Sequence, residues 1–110
     1  MKTLWAIILI FVLTDNLIGQ NTRKNTFPIR ITVCDSINHE PLFLATISLA
    51  RDNHKIIAGS CNTQGECLFP SVQTGVYKLK VSFIGYKTYS DTIRITGDFS
   101  RHILLAPDQV

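Results

Sequence analysis

The chain has 110 residues, 45% of them hydrophobic, with three cysteines and a formal net charge of +3. Such a length builds one compact core and is too short for two. The cations are scattered, with no basic cluster interleaved with aromatics, so the charge does not read as a nucleic-acid groove.

Residues 1–19 begin with a positive charge at Lys2, run through an apolar stretch between Leu4 and Leu13, and reach the small residue Gly19. This is the pattern of a cleaved signal peptide. The apolar stretch is about ten residues, whereas a helix crossing the bilayer needs about twenty. No cysteine follows Leu17, Ile18 and Gly19, so a lipid anchor is not expected, and the mature chain is expected to start near Gln20. Export to the periplasm, the outer membrane or the exterior places Cys34, Cys61 and Cys67 where disulfides persist. An odd number means that at most two pair within the chain.

Residues 20–26 are polar and read as a disordered lead-in, with the folded domain over residues 27–107. Residues 27–33 alternate apolar with polar and predict the first strand. Residues 35–41 are dense in turn formers and end at Pro41, so a loop is expected there. Residues 42–50 predict a second strand that turns Ala45, Ile47 and Leu49 inward, after an unusually apolar lead through Leu42, Phe43 and Leu44. Residues 55–58 predict a short edge strand. Residues 59–69 predict a hairpin bent at Asn62-Thr63-Gln64-Gly65, and residues 70–75 a loop. The strand that follows has the clearest period of two: Tyr77, Leu79, Val81 and Phe83 share one face, and Lys78, Lys80 and Ser82 the other. Residues 89–95 and 101–105 complete the set. Short strands at turn-separated intervals, without sustained helical periodicity, predict an all-β, seven-stranded Greek-key sandwich.

The run Gly75, Tyr77, Leu79, Val81, Ser82, Phe83, Ile84, Gly85, Tyr86 resembles the signature of the carboxypeptidase-regulatory-like domain, a small transthyretin-like (prealbumin-like) sandwich. The similarity spans residues 29–107, with Ile29, Val33, Asp35, Pro41, Leu42 and Ala45 at the positions of the family's opening pattern. Ile31 stands where glycine is usual, and Cys61 and Cys67 replace other residues in the central turn. The resemblance implies an export context and an accessory role, as at the N-terminus of TonB-dependent outer-membrane receptors or beside metallocarboxypeptidases. In those proteins the chemistry belongs to another domain.

No chemistry is legible in the residues themselves. His39, His54 and His102 lack a second ligand at metal-binding spacing, and the serines lack a Gly-x-Ser-x-Gly elbow. Cys34 is read as a passive thiol beside the carboxylate Asp35. The transthyretin-like hydrolase of purine degradation ends in a Tyr-Arg-Gly-Ser tail, where this chain has Ala106-Pro107-Asp108-Gln109-Val110. No enzyme activity, cofactor or metal is expected. A disulfide between Cys61 and Cys67 across the expected hairpin is the candidate pairing. Tyr86, after its corner, is expected to anchor its hydroxyl on nearby backbone rather than stack on a sugar.

These readings describe a binding module whose partner is an envelope protein, with a carbohydrate as the alternative ligand; neither nucleic acid nor stable membrane insertion is expected. The candidate partner surface comprises Asp35, Glu40, Leu42, Phe43 and Leu44, with the edge at residues 55–58 as a further acceptor.

Overall fold

The computed structural model describes residues 25–52 and 55–108; the expected signal peptide, His54 and nearly all of the expected lead-in lie outside them. Seven strands follow in chain order: β1 (Thr26–Asp35), β2 (Thr46–Arg51), β3 (Lys55–Ser60), β4 (Glu66–Gln73), β5 (Gly75–Ser82), β6 (Tyr89–Ile95) and β7 (Phe99–Leu105). They form two sheets, ordered β4-β1-β7 and β3-β2-β5-β6. Every pairing is antiparallel except β1 with β7, which run parallel. The all-β sandwich expected from the sequence is the observed fold.

One core is drawn from both sheets. Period-two alternation decides which side chains enter it: Tyr77, Leu79 and Val81 of β5 lie beside Ile47 and Leu49 of β2 on the inner face of one sheet, while Ile29, Ile31 and Val33 of β1 close from the opposite sheet. Ala45 is buried as expected, and β3 is one of the two outer strands of its sheet, with β6 the other. Tyr77 keeps its hydroxyl satisfied inside by donating to the Gln73 carbonyl at 2.7 Å. Among the described residues no buried side-chain polar atom is left without a partner.

Three local expectations are corrected. Residues 42–45 are not strand: the Ala45 amide donates to the Leu42 carbonyl at 3.2 Å, and Leu44 adopts φ 70°, which no strand accommodates. Residues 70–73 are not loop but the end of β4. Pro70 sits on an edge strand, opposite the register shift between Phe27 and Ile29, where a missing N–H costs no ladder bond.

The third correction concerns the hairpin at residues 59–69. Its turn exists, with the Asn62 side chain accepting from the Gln64 and Glu66 amides at 2.9 and 3.0 Å, but β3 and β4 part into different sheets. Cys61 is tied by backbone bonds to Ala45 and Leu44, while Cys67 is in register with Ile31. The two cysteines therefore do not face each other across a ladder, and Cys34, Cys61 and Cys67 are all free thiols rather than a Cys61–Cys67 disulfide. Burial first, then the neighbouring Cys67 and Cys34, pushes the Cys61 thiol up to about 11, which makes it an inert core side chain.

Candidate functional site

Two connections and the C-terminal segment meet at one end of the sandwich. The β1–β2 connection returns along β1, with the Leu42 amide donating to Val33 O at 3.0 Å and an isolated bridge between Cys34 and Pro41. The β5–β6 corner is pinned to the segment after β7 by a bridge between Tyr86 and Pro107 and by bonds from Lys87 N to Ala106 O and from Asp108 N to Gly85 O.

Asp35 ties these pieces together. It is 5% exposed, and its carboxylate accepts from the Ile37 amide at 2.6 Å, the Asn38 amide at 3.1 Å and the Tyr86 hydroxyl at 2.5 Å. The tyrosine thus anchors on a carboxylate far away in the sequence, not on nearby backbone as expected. The Tyr86 hydroxyl, then the Ile37 amide, holds the Asp35 carboxyl below its ordinary 3.8, and the same bond raises Tyr86.

A depressed carboxyl contributes stability that is fully present above the unfolded value and is lost as pH falls through the folded one. Thermal unfolding followed from about pH 7 to 2 should show the wild type losing stability below that 3.8. Asp35→Asn should be less stable at neutral pH with a shallower acid limb, the remainder coming from Asp91, which is lowered first by Arg101. An unchanged acid limb in Asp35→Asn would remove Asp35 from this role.

Around this anchor the surface is apolar. Ile84 is 91% exposed, Leu44 55% and Phe43 50%. Leu44, Phe83 and Ile84 border a groove of about 540 Å³ together with Thr46 and Ser82. Phe83 lies partly buried against Tyr86, ring centroids 5.6 Å apart and planes tilted by 51°. Leu44 stands out chemically: a branched, apolar, exposed residue in left-handed backbone is uncommon and strained. It is held there because its amide donates to Cys61 O at 2.9 Å while Ala45 O accepts from Cys61 N at 2.9 Å.

Of the expected partner surface, Glu40, Phe43 and Leu44 are exposed, but Asp35 and Leu42 are buried and offer no contact area. Asp35 is consumed by its three hydrogen bonds, and Leu42 enters the core. Ile84 and Phe83 were not foreseen as surface residues. Their sequence signal was two apolar residues in succession at the end of an alternating strand. Among the described residues no group of three or more His, Cys, Asp and Glu is placed to hold a metal ion, and no helix is long and apolar enough to cross a membrane.

The model of the CarboxypepD_reg-like domain matches residues 29–110, which takes in β1 from Ile29 on, strands β2 to β7 and the whole of this end. The chain belongs to this family. No curated protein matches it. Among solved structures, this carboxypeptidase-regulatory-like domain is similar to the major pilin subunit of Bacillus cereus, at 15% identity and a TM-score of 0.59 over 74% of this chain and 30% of that one. A 5-hydroxyisourate hydrolase of Klebsiella pneumoniae gives 20% identity and a TM-score of 0.56 over 77% of this chain and 92% of that one. A DUF3823 family protein from Bacteroides ovatus gives 17% and 0.55 over 77% and 45%. At such identities the likeness is one of fold. The chain spans less than half the length of the pilin and of the Bacteroides protein.

Proposed function

We propose that this domain is an exported, non-catalytic module of the bacterial cell envelope, accessory to a TonB-dependent receptor or a peptidase, that docks a protein partner through the apolar end formed by Phe43, Leu44, Phe83 and Ile84. The observation that carries this reading is Leu44, kept at φ 70° with its side chain in water beside an almost fully exposed Ile84. Backbone strain and exposed apolar area both cost stability, and a docking surface accounts for both. A protein fits this end better than a sugar. The Phe83 and Tyr86 rings are tilted against each other and Tyr86 is tied to Asp35, so they make no flat stacking platform.

Leu44→Asn combined with Ile84→Ser tests it. Asparagine tolerates left-handed backbone, so the double variant should melt at or above the wild-type temperature. Its capture of the partner that the wild type recovers from envelope extracts should fall at least about tenfold, as for loss of an interface hot spot. Undiminished capture would overturn the surface assignment. Hydrolase turnover abolished by changing one Ser, His or Cys would overturn the non-catalytic reading.

A further inference from the structure

The outer face of the β3-β2-β5-β6 sheet is a second surface, remote in character from the apolar end. Its register sets Lys80 between Ser48 and Ser90, Lys78 between Ala50 and Thr92, and Arg94 beside Val76. The three cations thus follow the β5–β6 seam. Lys78 and Lys80, two residues apart on one strand, stand about 7 Å from each other. Neither lysine nor Arg94 makes an ion pair or a side-chain hydrogen bond among the described residues.

Ser48, Ala50, Ser90 and Thr92 beside the lysines carry short side chains, which leaves a shallow groove of about 640 Å³ along the lysines, bordered on the β3 side by the exposed Ile56. The carboxylate bordering that groove, Asp91, is already engaged by Arg101 at 2.8 Å, the Thr92 amide at 2.8 Å and the Tyr89 hydroxyl at 3.3 Å. Solvated sheet faces usually carry both signs of charge across neighbouring strands, because opposite charges there attract and like charges repel. Here Lys78, Lys80 and Arg94 are all positive and unpaired among the described residues, and the Asp91 carboxylate at the groove's border is already taken by Arg101.

We propose that this face binds an extended acidic peptide laid along the β5–β6 seam. Three features select that partner. An extended chain with carboxylates at alternate positions repeats every ~7 Å, the same period as Lys78 and Lys80. The hydroxyls of Ser48, Ser90 and Thr92 offer hydrogen bonds between the charges. The face presents no aromatic side chain among its described residues, so it lacks the stacking platform that single-stranded nucleic acids use and on which a sugar ring would rest.

The test titrates a labelled eight-residue peptide of alternating Asp and Thr against the purified protein at low salt, with a uronate oligosaccharide and a single-stranded DNA oligomer in parallel. Saturable peptide binding is expected, with amide shifts at Lys78, Lys80, Thr92 and Arg94, and weakening as salt rises toward 0.15 M, where the screening length is about 8 Å. Lys78→Glu with Lys80→Glu should lower affinity at least about tenfold at an unchanged melting temperature, whereas Lys87→Glu, exposed on the β5–β6 corner, should not. Absence of saturable peptide binding, equal binding by the Lys78→Glu, Lys80→Glu variant, or binding of the uronate or the DNA in preference to the peptide would each overturn the proposal. The apolar end takes no part in it, so Leu44→Asn with Ile84→Ser should bind the peptide as the wild type does.

Discussion

Val81→Asp should abolish folding, while Lys80→Asp, one residue away, should change stability by no more than about 0.5 kcal/mol. Val81 has no exposed surface and lies on β5 in register with Ile47 on one side and Tyr89 on the other. Its side chain enters a core of apolar residues from both sheets, among which no cation is found. A carboxylate there loses its hydration without gaining a partner, and avoiding that by protonation or by exposing the strand also costs several kcal/mol. A domain of this size has about 5–15 kcal/mol in total, at the low end for a short chain. Lys80 points the other way, into water, with no ion pair to lose. Urea unfolding followed by circular dichroism separates the two outcomes, and equal midpoints for the two variants would mean that the faces of β5 are assigned the wrong way round.

Which residues face the core was legible because burial on one side of a strand imposes a period of two, and β2, β5 and β6 obey it. Which strands share a sheet was not. The Asn62–Gly65 turn was readable from its residue types, yet local turn chemistry fixes only the bend. Whether the flanking segments pair with each other depends on Cys61 being bonded to Ala45 and Leu44, and on Cys67 lying against Ile31. Pro70 read as a loop because proline is excluded from central strands; that β4 is an edge with a bulge at that point is a fact about neighbours. The Asp35–Tyr86 bond joins residues 51 apart in sequence, and no periodicity announces such a pair. Asp35 therefore looked like an exposed loop carboxylate when it is the fastening of two loops. Leu44 failed for a related reason. Its composition suits a strand, and the backbone bonds to Cys61 override that preference. The apolar lead through Leu42, Phe43 and Leu44 was nonetheless a correct sign that this region is unusual.

Gly65→Ala should be far more damaging than Gly85→Ala or Gly97→Ala, and the three glycines together show why. Gly65 has φ 76°, a conformation that costs an L-residue about 1–2 kcal/mol. A β-carbon there would also lie 2.5 Å from the Val33 carbonyl oxygen and 3.0 Å from the Pro41 side chain. That oxygen is not free to retreat. It accepts from the Leu42 amide at 3.0 Å, while the Val33 amide donates to Gly65 O at 2.8 Å. Relieving the clash breaks backbone bonds that close the β1–β2 loop onto β1, so strain and lost hydrogen bonds add to at least about 3 kcal/mol. Gly85 shares the left-handed backbone, φ 87°, but a β-carbon there meets nothing within 4 Å, so Gly85→Ala should cost only the conformational part, about 1–2 kcal/mol. Gly97 has neither constraint, and Gly97→Ala should be neutral or stabilise by up to about 1 kcal/mol through the unfolded chain. Denaturant unfolding of the three variants should rank them in that order. Gly65→Ala no worse than Gly85→Ala would show that the Val33 carbonyl yields, and that the loop is not held against β1 as tightly as these distances require.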